Sequence, residues 1–246
     1  MTKQEIYARH GIEFKEGKIN YNGRWINELL KQGNSKTGKN VWTWSMMPGN
    51  NGKGTCACTC VGCYAMTGFY RMNSVVASLE LNTDIVNNNI DFFYRAISAQ
   101  LECIGRGEIR IHAAGDFNTS NPMEYANTWH RIASENNTFI FWTYTKVKQF
   151  ETLFDDLNNA NIVKSVIPGV GINYGKCEYI INAYLTLKEM GESVYICRCG
   201  IDKNQHCENC GVCANYKYVL FIEHSTDYKA ETDPLFDKVK ELITRQ

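Results

Sequence analysis

Six apolar, β-rich runs recur along this chain, each separated from the next by a longer segment, and that alternation narrows the fold more than any other feature. The runs are "NVWTWSMM" (40–47), "EIRIHAAGDF" (108–117), "NTFIFWTYTK" (137–146), "IVKSVIPGVGI" (162–172), "SVYICRC" (193–199) and "KYVLFIEHS" (217–225). Between them lie helical patterns. Val75, Val76, Leu79, Val86, Ile90, Phe93, Ile97 and Leu101 recur every three or four positions, as one long helix would require. Asn121 and Pro122 read as an N-cap with proline in the first turn, opening a helix with Met123, Ala126, Trp129 and Ala133. Phe150, Leu153, Phe154 and Leu157 mark another helix, and Ile180, Ile181, Tyr184, Leu185 and Leu187 one closed by Gly191. A last helix starts at Asp233 and Pro234 and carries Phe236, Val239 and Ile243.

Strands alternating with helices pair in parallel through right-handed crossovers. Runs such as "FIFW" and "VLFI" suit strands buried on both faces. The pattern predicts an α/β fold, a partial (β/α)6 barrel or, equally on periodicity, an open doubly wound parallel sheet. In both, ligands bind beyond the carboxyl ends of the strands, so the cysteine loop, "AAGDF", "YTK", "PGVGINYG", "CRC" and "EHS" are expected on one rim. A chain of 246 residues with only four prolines reads as a single domain over 1–246. Its parts are an N-terminal extension (1–39), a core (40–225) with a cysteine loop (55–65) and a cysteine-rich insertion (197–213), and a C-terminal helical segment (226–246).

Eleven cysteines exceed what packing needs, and an odd number cannot all pair. The charged opening "MTKQEIYARHGIEFKEG" has no leader-type apolar core, and no stretch reaches the roughly 18 apolar residues of a membrane span. We therefore expect a soluble cytoplasmic protein with no membrane partner, in which clustered thiols serve as metal ligands. Lys plus Arg (26) balances Asp plus Glu (26), so net charge does not indicate a nucleic-acid partner.

The thiols form two groups. In "TCACTCVGCYA", Cys56, Cys60 and Cys63 have C-x3-C-x2-C spacing directly after the first strand, with Cys58 to spare. Three thiolates on a four-iron cube leave one iron open to a ligand, whereas four thiolates including Cys58 would make a closed zinc site. In "CRCGIDKNQHCENCGVC", Cys207, Cys210 and Cys213 have the compact C-x2-C-x2-C spacing of iron–sulfur binding. Cys199 or Cys197 stands ready as the fourth ligand of a closed cluster, and zinc is the alternative there, with His206 as a further donor. Lone Cys103 and Cys177 read as small buried side chains. Among rim residues, Lys146 suits an anionic ligand, Glu223 and His224 close the sixth strand where barrel enzymes place working groups, and His112 reads as a satisfied core histidine.

The C-x3-C-x2-C loop after a first strand resembles the radical S-adenosylmethionine (SAM) superfamily, and "CACTCVGCYA", "IHAAGDF" and "FWTYTK" are similar to the phage and bacterial "gene product 88" family. The first resemblance implies a partial barrel of the radical SAM type, related to the TIM barrel. It also implies a [4Fe-4S] cluster on Cys56, Cys60 and Cys63, with SAM as ligand and cofactor. By the same resemblance, Ala114, Gly115 and Asp116 take the place of the element that receives the SAM amino group. Tyr64 stands beside the third cysteine in place of an adenine-contacting aromatic. The implied activity is reductive cleavage of SAM to a 5′-deoxyadenosyl radical, with an electron donor and an unknown substrate as partners, in the bacterial host cytoplasm if the protein is phage-encoded. Asp116, Lys146, Glu223 and His224 are the catalytic candidates. The alternative reading is a non-catalytic zinc or iron–sulfur protein acting as a binding module in phage or host nucleic-acid processes.

Overall fold

The computed structural model describes residues 1–246 except 35–36, 50–51, 58–62, 199–200, 203–204 and 224–227, and except the side chain of Tyr64. The chain opens with α1 (Lys3–Arg9), whose Thr2 cap and Glu5 form a reciprocal capping box. A meander follows, of β1 (Phe14–Lys15), β2 (Lys18–Tyr21) and β3 (Arg24–Asn27). Next, β4 (Lys31–Gln32) runs antiparallel to β5 (Val41–Ser45). The long apolar stretch after the cysteine loop is two helices rather than one, α2 (Asn73–Asn88) and α3 (Ile90–Ile104). Asn89 breaks them apart with φ −154° and ψ 68°, and its side chain accepts from the Phe92 N–H to cap the second.

Then come β6 (Gly107–Ala114), α4 (Pro122–Glu135) with the expected Asn121 cap, and β7 (Phe139–Thr145). Where a helix was expected at 150–157 there is a 3-10 turn (Lys148–Phe150) and further turns. Phe150 and Phe154 are nonetheless buried, so their spacing reflects burial and not an α-helix. The remainder is β8 (Ala160–Lys164), β9 (Val166–Ile167), β10 (Gly171–Ile172), β11 (Tyr174–Gly175), α5 (Cys177–Glu189), β12 (Val194–Ile196), α6 (Cys207–Cys210), α7 (Val212–Asn215), β13 (Tyr218–Ile222) and α8 (Phe236–Thr244).

The protein is mixed α/β. Strands β5, β6, β7 and β8 pair in parallel in that order, with β4 antiparallel at the edge. Strand β13 lies between β11 and β12, parallel to both. A backbone bond from Lys164 N to Lys217 O (2.8 Å) carries the sheet from β8 onto the start of β13, and one from Phe221 N to Asn173 O (2.8 Å) extends the β11–β13 pairing. The order is thus β5, β6, β7, β8, β13, β12, so the last two long strands are exchanged relative to the chain. Among the described strands no pairing joins β4 to β12, and no closed barrel forms.

The two faces differ. One core joins α2, α3 and α4 to Trp44, Ile109, Ile111, Phe141 and Ile162, and another joins α5 and α8 to Val194, Ile196, Leu220 and Ile222. Neighbouring residues on the same strands, Val163, Tyr195 and Val219, point the other way, into a small cluster with Tyr144, Val212 and three cysteines. Helices α2 to α5 and α8 therefore cover one face. A doubly wound sheet carries helices of that kind on both; here the second face meets α6 and α7 instead.

Candidate metal centres

At the carboxyl end of β5 the chain turns into the first cysteine loop, and the end of β6 clamps its root. Thr55, 1% exposed, bonds Met47 O through both N–H and Oγ1, and its Oγ1 accepts from the Asp116 N–H at 3.0 Å. Its carbonyl accepts from Asn118 N (2.9 Å), while Met46 N donates to Ala114 O (2.9 Å). Gly115 sits between with φ +86°, where an added Cβ would lie 2.6 Å from Thr55 Oγ1. This glycine is required by close packing of two backbones. Cys56 follows directly, half-buried, with its N–H on Gly49 O. Cys63, also half-buried, starts the 3-10 turn Tyr64–Met66. Cys60, Cys58 and His224 lie outside the described residues, as does the Tyr64 side chain.

Asp116 ties the second strand end to the third. Its Oδ1 accepts from Thr145 Oγ1 (2.7 Å) and Phe117 N (2.8 Å), and its Oδ2 from Lys146 N (2.9 Å). Only 4% of the residue is exposed, and burial pushes its carboxyl above the usual range against those donors and the Lys146 ammonium. As the side chain stands, three protein donors occupy it. Lys146 is half-buried on the rim beside it. Glu223 closes β13 by donating its N–H to Gly175 O (2.8 Å). The sequence thus brings Cys56, Ala114, Gly115, Asp116 and Lys146 together, with Thr55 as a member that residue type alone did not reveal.

Just beneath, a bulge in β6 turns His112 to φ +58° and carries its ring to the helix side. The imidazole is 3% exposed, bonded through Nε2 to Tyr125 OH (2.8 Å) and through Nδ1 to Thr143 Oγ1 (3.1 Å). Trp44 Nε1 donates to the same Tyr125 oxygen (2.8 Å), which links the indole, the phenol and the imidazole in one buried chain. Burial lowers the His112 pKa to about 3. It is a neutral core histidine.

The second cysteine group occupies the face opposite the helices. Cys197, Cys210 and Cys213 pack on Val163, Tyr195, Val212 and Val219. Cys213 also feels Cys197 and Cys207 electrostatically, and burial drives its thiol pKa far up. Tyr144 OH lies 3.0 Å from Cys213 Sγ, and the Arg110 guanidinium stacks over the Trp142 and Tyr144 rings at 5.5 and 5.3 Å. Asn161 Nδ2 donates to Cys213 O (2.8 Å) and Tyr216 O (2.9 Å), fixing the segment to β8. Glu208 fixes it to the other end of the sheet, donating its N–H to Thr37 O (3.1 Å) and accepting from Asn40 N (3.1 Å).

The His206 Nδ1 is buried with no hydrogen-bond partner, which suits a metal donor. Cys199 lies outside the described residues, and it is Cys197 that joins the cluster. Among the described residues, no three Cys, His, Asp or Glu side chains already stand in metal-holding geometry. Arg110 and Tyr144 were legible only as strand residues that alternate with Ile109, Ile111 and Thr143, one face against the other.

The family model described as Gene product 88 matches residues 28–170, more than half of the chain. That span holds β4 to β9 and the whole Cys56 to Lys146 rim, and ends before the second cysteine group. No curated protein and no solved structure matches the chain. Among the described residues no helix is long and apolar enough to cross a membrane.

Proposed function

We propose that this chain, which belongs to the Gene product 88 family, is an iron–sulfur enzyme of the radical SAM kind, with an open cluster on the rim loop and a closed one on the opposite sheet face. What supports the reading is the rooting of the first loop. Cys56 leaves the carboxyl end of the first parallel strand, and the residue before it is bonded to the end of the second, which Asp116 joins to the third. Helices on one face agree with barrel-type winding, while the exchange of β12 and β13 departs from the sequential order of a partial barrel.

The donor set fits. Cys56, Cys60 and Cys63 would hold a [4Fe-4S] cluster, whose chemistry when bound is to deliver an electron that cleaves a carbon–sulfur bond of SAM. Lys146 supplies a cation for the SAM carboxylate. Asp116 keeps Thr145 and Lys146 in place from below, and Glu223 and His224 remain the further catalytic candidates. An electron donor and a substrate complete the reaction. Anaerobically purified protein is expected to be brown, to hold about eight irons in two clusters of about four, and to change its spectrum when SAM is added. Colourless protein with zinc alone would overturn this reading. That second reading, a non-catalytic zinc protein, is favoured by one observation, the partnerless His206 Nδ1 beside Cys207.

A further inference from the structure

Resting on the radical reading above, we propose that the substrate is a single-stranded nucleic acid, held at the rim by Phe69 together with Lys53, Arg71 and Lys148. The turn that follows Cys63 carries the inference. Gly68–Arg71 is a 3-10 turn in which Tyr70 OH donates to Ala113 O near the end of β6 (3.4 Å), so the turn is tied to the rim. The residues around Tyr70 are open to solvent. Phe69 is 83% exposed, Met72, whose N–H bonds Phe69 O (3.1 Å), is 51% exposed, and Met66 is 44% exposed. Met66 Sδ stands 4.0 Å from where a Cβ on Gly49 would lie, and Gly49 O holds the Cys56 N–H (2.9 Å). This apolar patch therefore adjoins the root of the cysteine loop. One exposed apolar side chain needs no explanation, but three within one anchored stretch beside a candidate centre make a contact surface.

The charge around that patch is nearly all of one sign. Segments 46–72, 115–120 and 146–150 follow the carboxyl ends of β5, β6 and β7, and they hold Lys53, Arg71, Lys146 and Lys148 with a single acid, Asp116. Asp116 is buried beneath its three donors, whereas Arg71 and Lys148 are exposed. Two further carboxylates border the rim, Glu80 at 3.5 Å from Lys53 and Glu151 at 3.8 Å from Lys164. Lys53 and Glu80 are both largely open to water, where such a pair is worth little and yields to a phosphate. At the amino ends of the same strands the signs mix, with Glu108, Glu135, Asp155 and Asp156 beside Arg106 and Lys217. A balanced net charge thus conceals a basic rim. A ligand that answers both features needs repeated negative charge and flat apolar faces. An unpaired nucleic-acid strand has both, since its bases stack on exposed aromatic rings while its phosphates track the cations. In a duplex the base faces are already covered, and Phe69 finds none to stack on. An acidic protein supplies the charge without the faces.

The test is fluorescence anisotropy of labelled thymidine and uridine strands of about 20 nucleotides, added to the full chain purified anaerobically, in salt from about 50 to 200 mM. A duplex and a poly-glutamate of similar length are the competitors. The labelled strand is expected to bind, and to be displaced by unlabelled strand far better than by either competitor. Phe69→Ala is expected to weaken binding at least about five-fold, as loss of one stacked base does, and Phe69→Trp to restore it. Arg71→Ala and Lys148→Ala should each flatten the slope of log affinity against log salt by about 0.7, while Arg106→Ala at the far end of the sheet changes neither affinity nor slope. No binding at about 50 mM salt, or an affinity indifferent to Phe69→Ala, would overturn the proposal. Poly-glutamate that competes as well as the strand would overturn it in favour of an acidic protein partner. The same preparation is then reduced and given SAM. Release of 5′-deoxyadenosine without strand binding would remove the strand site alone, and strand binding without release would remove the radical reading and leave a binding site.

Discussion

Acid should weaken this fold through His112. The ring is neutral in the native state because burial lowers its pKa to about 3, whereas in the unfolded chain it titrates near 6.5. A base with a lowered folded pKa contributes fully above the unfolded value, and that contribution is lost as pH falls from about 6.5 towards about 3. The whole gap corresponds to about 5 kcal/mol, of which about 3 kcal/mol is gone by pH 4. Carboxylates titrate in the same window, so the comparison must be differential. His112→Asn tolerates the φ of +58° and removes the titration. In urea unfolding at pH 7, 5.5 and 4, wild type should start more stable than the variant, and its advantage should shrink by about 3 kcal/mol at pH 4. A stability difference that stays constant across that range would refute the buried neutral imidazole and the Trp44, Tyr125, His112, Thr143 chain with it.

The rim offers three further tests. Gly115→Ala combines a φ of +86° with a Cβ placed 2.6 Å from Thr55 Oγ1, and should destabilise by roughly 2–4 kcal/mol; a loss under about 1 kcal/mol in urea unfolding would contradict the clamp. Asp116→Ala strands the donors of Thr145, Lys146 and Phe117 and should cost roughly 3–5 kcal/mol in the same assay; near-neutral behaviour would mean those bonds do not organise the rim. Cys60→Ala should lose about four irons while Cys58→Ala keeps them; equal losses would mean that three ligands is the wrong number.

The parallel α/β core was legible because each strand run had its own period and flanking breakers. The Asn121 and Pro122 start and the Gly191 stop of two helices could be placed from residue type alone. What the sequence obscured were features decided by tertiary context. The apolar spacing of 75–101 runs through Asn89 without a break, yet Asn89 prefers to cap α3 with its own side chain. Phe150, Leu153, Phe154 and Leu157 have helical spacing because they bury in a turn region rich in Asp and Asn. No local signal sets the order in which β12 and β13 enter the sheet, since both are short, apolar and equally suited to a central position. At the site, the spacing of Cys207, Cys210 and Cys213 was readable in the sequence, and two of them, Cys210 and Cys213, pack on the sheet face opposite the helices. That Cys197 packs beside Cys210 and Cys213 depends on which face of β12 meets α7. Thr55 and Tyr144 matter only through what folds against them.

The most direct measurement is release of 5′-deoxyadenosine from SAM by anaerobically reconstituted, reduced protein in single turnover. The account predicts release that requires Cys56, Cys60 and Cys63, survives Cys58→Ala, and weakens in Lys146→Ala with iron content unchanged. Protein that carries its full iron but neither binds SAM nor releases 5′-deoxyadenosine would contradict it, leaving a metal-bearing fold without radical chemistry.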